Sequence, residues 1–195
     1  MNINKAVKRE KKHFRFFVCF MLFLAVMLPL ALAITNLFSI FYISFLLLIE
    51  LLICSTVIMK LNGYKIKFRC INNRLIFKTG IMSKDSLIIC DKVELVHTKN
   101  CDYDLEIVII TNVKFRNKRL REVDNSLFKK YPHIRKYYRK LQDKNPDKKY
   151  FFQVVKRGGL KKYLLLDVIY RNCVKAIYTD ESIQNIKIAR GQMVD

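Results

Sequence analysis

From Phe16 to Ile49 no residue carries a charge, and after Glu50 the apolar run resumes as far as Met59. A single helix over Phe16–Ile49 would be about 50 Å long at 1.5 Å per residue. A hydrocarbon core needs only ~30 Å. The pattern therefore predicts two spans, residues 16–34 and 37–59, folded back at Thr35-Asn36, where two small polar residues interrupt the run. Pro29 falls late in the first span, where it would kink or end the helix.

After Lys60–Gly63 the apolar period changes from continuous to alternating, as half-buried strands require. Strands are expected at Tyr64–Cys70, Arg74–Thr79, Ser86–Cys90, Lys92–His97 and Leu105–Thr111, with Val113–Arg116 as a short neighbour. Asn72-Asn73 and Gly80 punctuate them as turns. Leu105–Thr111 is the most apolar and is expected at the centre of an antiparallel meander. Between Leu120 and Leu141 apolar residues recur every three or four positions, which predicts a helical insert broken in two by Pro132. Tyr150–Val155 reads as a strand entering the Gly158-Gly159 turn, and Tyr163–Tyr178 as a helix. A tail helix is expected from Asp180 to Ala189, capped by Asp180. Residues 60–195 are enough for one α+β domain with its own core.

Charge orients the hairpin. The chain has 37 Lys and Arg against 16 Asp and Glu, a formal net charge of +21. Lys5, Lys8, Arg9, Lys11, Lys12 and Arg15 precede the first span, and Lys60, Lys65, Lys67 and Arg69 follow the second. The connector carries neither Lys nor Arg. The positive-inside bias gives a multi-pass protein of the cell membrane with both termini cytoplasmic, residues 1–15 being a basic cytoplasmic N-terminus. A leader cleaved at Ala31-Leu32-Ala33 is the rival, and both charge flanks oppose it. The six cysteines include no Cys-x-x-Cys pair, which suits a reducing compartment. Cys90, His97 and Cys101 form a loose trio without a fourth ligand, so buried thiols are expected, with no metal and no cofactor.

The stretch Ile71-Asn72-Asn73-Arg74-Leu75-Ile76-Phe77-Lys78-Thr79-Gly80-Ile81, followed by Ser86-Leu87-Ile88-Ile89 and Lys92-Val93-x-x-Val96, resembles the bacterial pleckstrin-homology-like (PH-like) membrane proteins. In that group an Asn-x-Arg-Leu strand leads to a Gly turn, an apolar strand and a Lys-Ile/Val segment, commonly behind two transmembrane helices. The likeness covers the hairpin and about thirty residues of the domain. Ile71 and Ile89 stand where the group usually has Thr and frequently has Pro. The resemblance implies a membrane-anchored, partly closed antiparallel barrel with a helical insert and a C-terminal helix. It implies a binding scaffold and transfers no catalytic residue, since the shared motif is one of folding.

Glu50 is the first candidate site. Ten residues before Lys60 it lies near the bilayer centre, where a carboxylate costs about 2.5–3.5 kcal/mol, so a contact with a partner's membrane helix competes with a hydrogen bond inside the hairpin. The second candidate is the basic, aromatic stretch around the insert: Lys114, Arg116, Arg119, Lys129, Lys130, Arg135, Lys136, Arg139 and Lys140, with Lys118 and Arg121 between them. Each such cation near an anionic leaflet contributes about 1 kcal/mol. Such a face binds an anionic inner leaflet or an acidic protein partner, or stays merely solvated; nucleic-acid phosphates are a weaker match. Asp102, Asp104 and Glu106 alternate on one strand face and are expected to balance local cations rather than to catalyse. With three His, five Gly and no phosphate-cradling loop, the chain is expected to be no enzyme. The expected roles are an accessory protein that docks through its basic domain, or an integral subunit joined through the hairpin to an unidentified protein or to a second copy.

Overall fold

The computed structural model describes residues 3–36, 39–81, 83–101 and 104–192, the Cys101 side chain excepted. Two long helices come first, α1 (Ile3–Ile34) and α2 (Ile40–Tyr64). Both are long and apolar enough to cross a membrane. A core helix of a soluble domain would be covered, whereas the apolar windows of both are uncovered, Phe16 being 73% and Ile40 87% exposed. The expected turn lies at Thr35-Asn36, with Asn36 at φ 52°. Helix α1 begins far earlier than the apolar run: the basic stretch from Ile3 is helical too, and Ile3 is buried.

The strands that follow are β1 (Ile66–Ile71), β2 (Arg74–Thr79), β3 (Ser86–Ile89), β4 (Val93–Cys101) and β5 (Asp104–Thr111). Asn72 and Asn73, both at positive φ, make the two-residue turn that sets Ile71 opposite Arg74. Next come β6 (Arg121–Glu122), α3 (Asn125–Lys130), α4 (Ile134–Lys144), β7 (Phe151–Val155), α5 (Lys161–Asn172), β8 (Ile177–Tyr178) and α6 (Asp180–Arg190). Pro132 falls between α3 and α4, as expected of a residue that cannot donate to a helix ladder.

Two sheets result, β1-β2-β3 and β6-β7-β5-β4-β8, and neither closes into a barrel. Val113–Arg116 forms no strand; β7 takes the place beside β5 instead. The helix expected over Tyr163–Tyr178 stops at Asn172, because Ile177-Tyr178 pairs in parallel with Leu95-Val96 of β4. Helix α6 is capped by Thr179, whose hydroxyl accepts from the Ser182 N–H, rather than by Asp180.

Strand β5 is buried on both faces, as its apolar run required. Ile107 and Ile109 face a core shared with β1–β3 and α5, while Val108 and Ile110 face one closed by α3 and α4. Cys90 and Cys173 are buried in the first core; Cys70 is half-buried, its Sγ 3.8 Å from that of Cys90.

Candidate anion-binding site

Backbone hydrogen bonds define which end of the domain meets the hairpin. The Gly80 N–H donates to the Lys65 carbonyl (2.6 Å) and the Gly158 N–H to the Gly63 carbonyl (2.8 Å), so the ends of β2 and β7 both sit against the end of α2. The start of β2 at Arg74 is five residue steps away, about 17 Å along an extended strand. The domain therefore has a near end at Thr79 and Val155 and a far end at Arg74 and Phe151.

The expected cations divide between these ends rather than forming one face. Lys114 lies over the Phe151 ring, and Arg116 shares the Phe115 ring with Arg74, which puts both at the far end. Arg135, Lys136, Arg139 and Lys140 line the exposed side of α4, whose Ile134, Tyr138 and Leu141 are buried. Helix α4 runs toward the far end, since the Tyr150 hydroxyl donates to the Leu141 carbonyl just before β7 begins. Lys129 and Lys130 close α3 on the near side, and the Arg119 Nη1 donates to Thr79 Oγ1 (3.2 Å).

Between Arg119 and Lys130 lies a pocket of about 460 Å³. Lys118, Arg121 and Lys156 complete its basic wall, with Thr79, Tyr131 and Phe152 among the remaining lining and no Asp or Glu. Arg121 reaches it because β6 pairs with β7, Arg121 opposite Phe152. Two carboxylates stand just outside the lining: Glu106, with Oε2 3.2 Å from the Lys130 Nζ and accepting from the Tyr131 hydroxyl, and Asp124, whose Oδ1 accepts from the Ser126 hydroxyl (2.7 Å). For Glu106, burial pushes against ionisation, yet the Tyr131 hydroxyl and the Lys130 ammonium hold the carboxyl below the usual range. Tyr131 is pushed up to about 12 by burial and by that carboxylate, so it stays a neutral donor. Lys156 is pushed down, first of all by the Lys130 ammonium beside it.

Sequence spacing missed Lys156. It lies in the turn after an apolar strand, and only the β5–β7 register, with Ile107 opposite Val155, carries it toward Glu106 and Lys130. Asp104 pairs with the fully buried Lys162 at 2.5 Å, and Asp102 lies outside the described residues. Each described carboxylate of that strand thus balances a cation. Among the described residues no three His, Cys, Asp or Glu side chains are placed to hold a metal. The His97 Nδ1 is 3.0 Å from Thr179 Oγ1 and its Nε2 3.5 Å from Glu181. In α2, the Oε1 of Glu50 is shielded and has no hydrogen-bond partner among the described residues.

Comparison with known proteins finds no family model, no curated protein and no solved structure that matches the chain.

Proposed function

We propose that this chain is a membrane-anchored accessory protein, without enzymatic chemistry of its own, whose basic cytoplasmic domain docks on the anionic inner leaflet. The α1–α2 hairpin crosses the bilayer, with both termini on the cytoplasmic side where the flanking Lys and Arg gather. The observation that carries docking is the reach of the basic pocket to the hairpin end of the domain: it runs along β7 from Arg121 and Phe152 to Lys156 and Thr79, Thr79 precedes Gly80, and Lys156 lies two residues before Gly158, the two anchoring glycines. Ile40–Met59 accounts for a ~30 Å hydrocarbon core, leaving only about 7 Å of helix before the domain begins. On this reading the rim of the pocket at Thr79 and Lys156 lies at the depth of the headgroups. At about 1 kcal/mol per cation the near-end group suffices to hold a tethered domain down. The resemblance to PH-like membrane proteins favours a binding scaffold of this kind, here with open sheets.

Glu50 supports a second reading, in which the hairpin is the interface of a larger membrane assembly or of a homo-oligomer. A shielded carboxyl oxygen without a partner in the hairpin invites a donor from another helix. Purification of the full-length protein from native membranes in mild detergent separates the two. Retained anionic lipid without a stoichiometric protein supports docking; a stoichiometric membrane partner that is lost on Glu50→Leu supports the assembly.

A further inference from the structure

We propose that the basic pocket along β7 recognises a phosphomonoester dianion, presented on a lipid headgroup or on a small soluble ester; only the lipid source rests on the docking reading above. A surface that merely rests on charged lipid needs cations fanned over an exposed face, as on α4. Here five cations converge on one concavity with no carboxylate in its lining. Of the five, Lys130 alone has an ion-pair partner among the described residues, and that partner, Glu106, is no part of the lining. Lys118, Arg119, Arg121 and Lys156 have no ion-pair partner among the described residues.

The donor set suits phosphate more than a generic anion. Arg119 and Arg121 offer planar forks that match two phosphate oxygens at once, and the lysines add point charges. The Thr79 hydroxyl accepts from Arg119, which leaves its own proton free to donate outward. Three terminal oxygens and two charges engage this set more fully than the single charge of a phosphodiester. At about 460 Å³ the pocket lies in the ligand-site range and exceeds a bare phosphate, so the ester's alcohol lies within it, against Tyr131 and Phe152.

Titration of glycerol 3-phosphate into the full-length protein in neutral nanodiscs, followed by phosphorus NMR, tests the proposal. Saturable binding at or below roughly 1 mM is expected. Arg121→Gln and Lys156→Gln, both at exposed positions, should each weaken it about tenfold. Lys140→Gln, on the far half of α4, should leave it unchanged. If phosphatidic acid in the disc competes and phosphatidylglycerol at equal surface charge does not, the occupant is a headgroup. If neither lipid competes, the same chemistry is met by a soluble ester. Absence of saturable binding, or equal weakening by Lys140→Gln, overturns the proposal. Loss of bilayer docking with this binding intact would overturn the docking reading alone.

Discussion

The carboxylate of Glu10, on the N-terminal turns of α1, accepts a hydrogen bond from the backbone N–H of Leu160 at 3.2 Å, across 150 positions of sequence. Leu160 is the residue before α5, so the first helix of the chain caps a helix of the domain. Phe14 stacks on Tyr64 with ring centroids 4.9 Å apart, and Lys161 lies over the other ring. The basic N-terminal stretch is therefore a strut between hairpin and domain.

Glu10→Ala removes that cap. A helix cap of this kind is worth about 1 kcal/mol. Hydrogen exchange at Leu160–Tyr163 and along residues 3–14 should speed up by roughly fivefold, while exchange in β5 stays unchanged. Equal acceleration in β5 would mean the contact stabilises the whole domain instead.

Much of this was legible in the sequence. The uncharged run, the Asn72-Asn73 turn, Pro132 and the apolar β5 each act through local chemistry, and each sits where the pattern put it. The strut was not legible, because the Lys and Arg of residues 5–15 read as a soluble flank and nothing local marks Glu10 as a cap for a helix 150 positions away. The pocket was half legible. Arg119 and Lys130 stood out by composition, but Lys156 joins them only through strand pairing, and Lys114 and Arg116 were separated from them by the length of β2.

Asp104→Asn should expose how the buried Lys162 is held. Lys162 is fully buried, with Nζ donating to the Lys156 carbonyl (2.6 Å) and paired with Asp104 (2.5 Å). Breaking a buried pair costs about 3–5 kcal/mol. Asp104 is itself half exposed, so a loss nearer 2 kcal/mol is expected in thermal or denaturant unfolding of the detergent-solubilised protein. Lys162→Met in the same background should recover most of it, because the uncompensated charge is then gone.

Gly80→Ala attacks the near-end junction directly. Gly80 sits at φ 84°, and a Cβ there would meet Asn62 Oδ1, the acceptor for the Ile81 N–H. Left-handed strain alone costs about 1–2 kcal/mol. The melting temperature should fall by several degrees, and Gly63→Ala, with open space around its Cβ position, should leave it nearly unchanged.

Acid should weaken the domain through His97. Burial lowers its pKa from 6.5 to about 4, helped by His133 and Lys99, while the Glu181 carboxylate facing it opposes the shift. The unfolded chain therefore takes up the proton first. The stabilisation is complete above about pH 7 and is lost as pH falls from 6.5 toward 4, by at most about 3 kcal/mol. His97→Gln should flatten that part of the stability profile relative to the parent protein. An unchanged slope in the variant would assign the acid sensitivity to other groups.

The most direct measurement of docking is hydrogen exchange of the full-length protein in nanodiscs of neutral lipid against discs containing anionic lipid. Lys118–Arg119, Lys129–Tyr131 and Val155–Arg157 should gain protection in anionic discs, and lose it again in high salt, while Lys114–Arg116 at the far end should not respond. Identical exchange at the near end in both discs would contradict docking on the membrane.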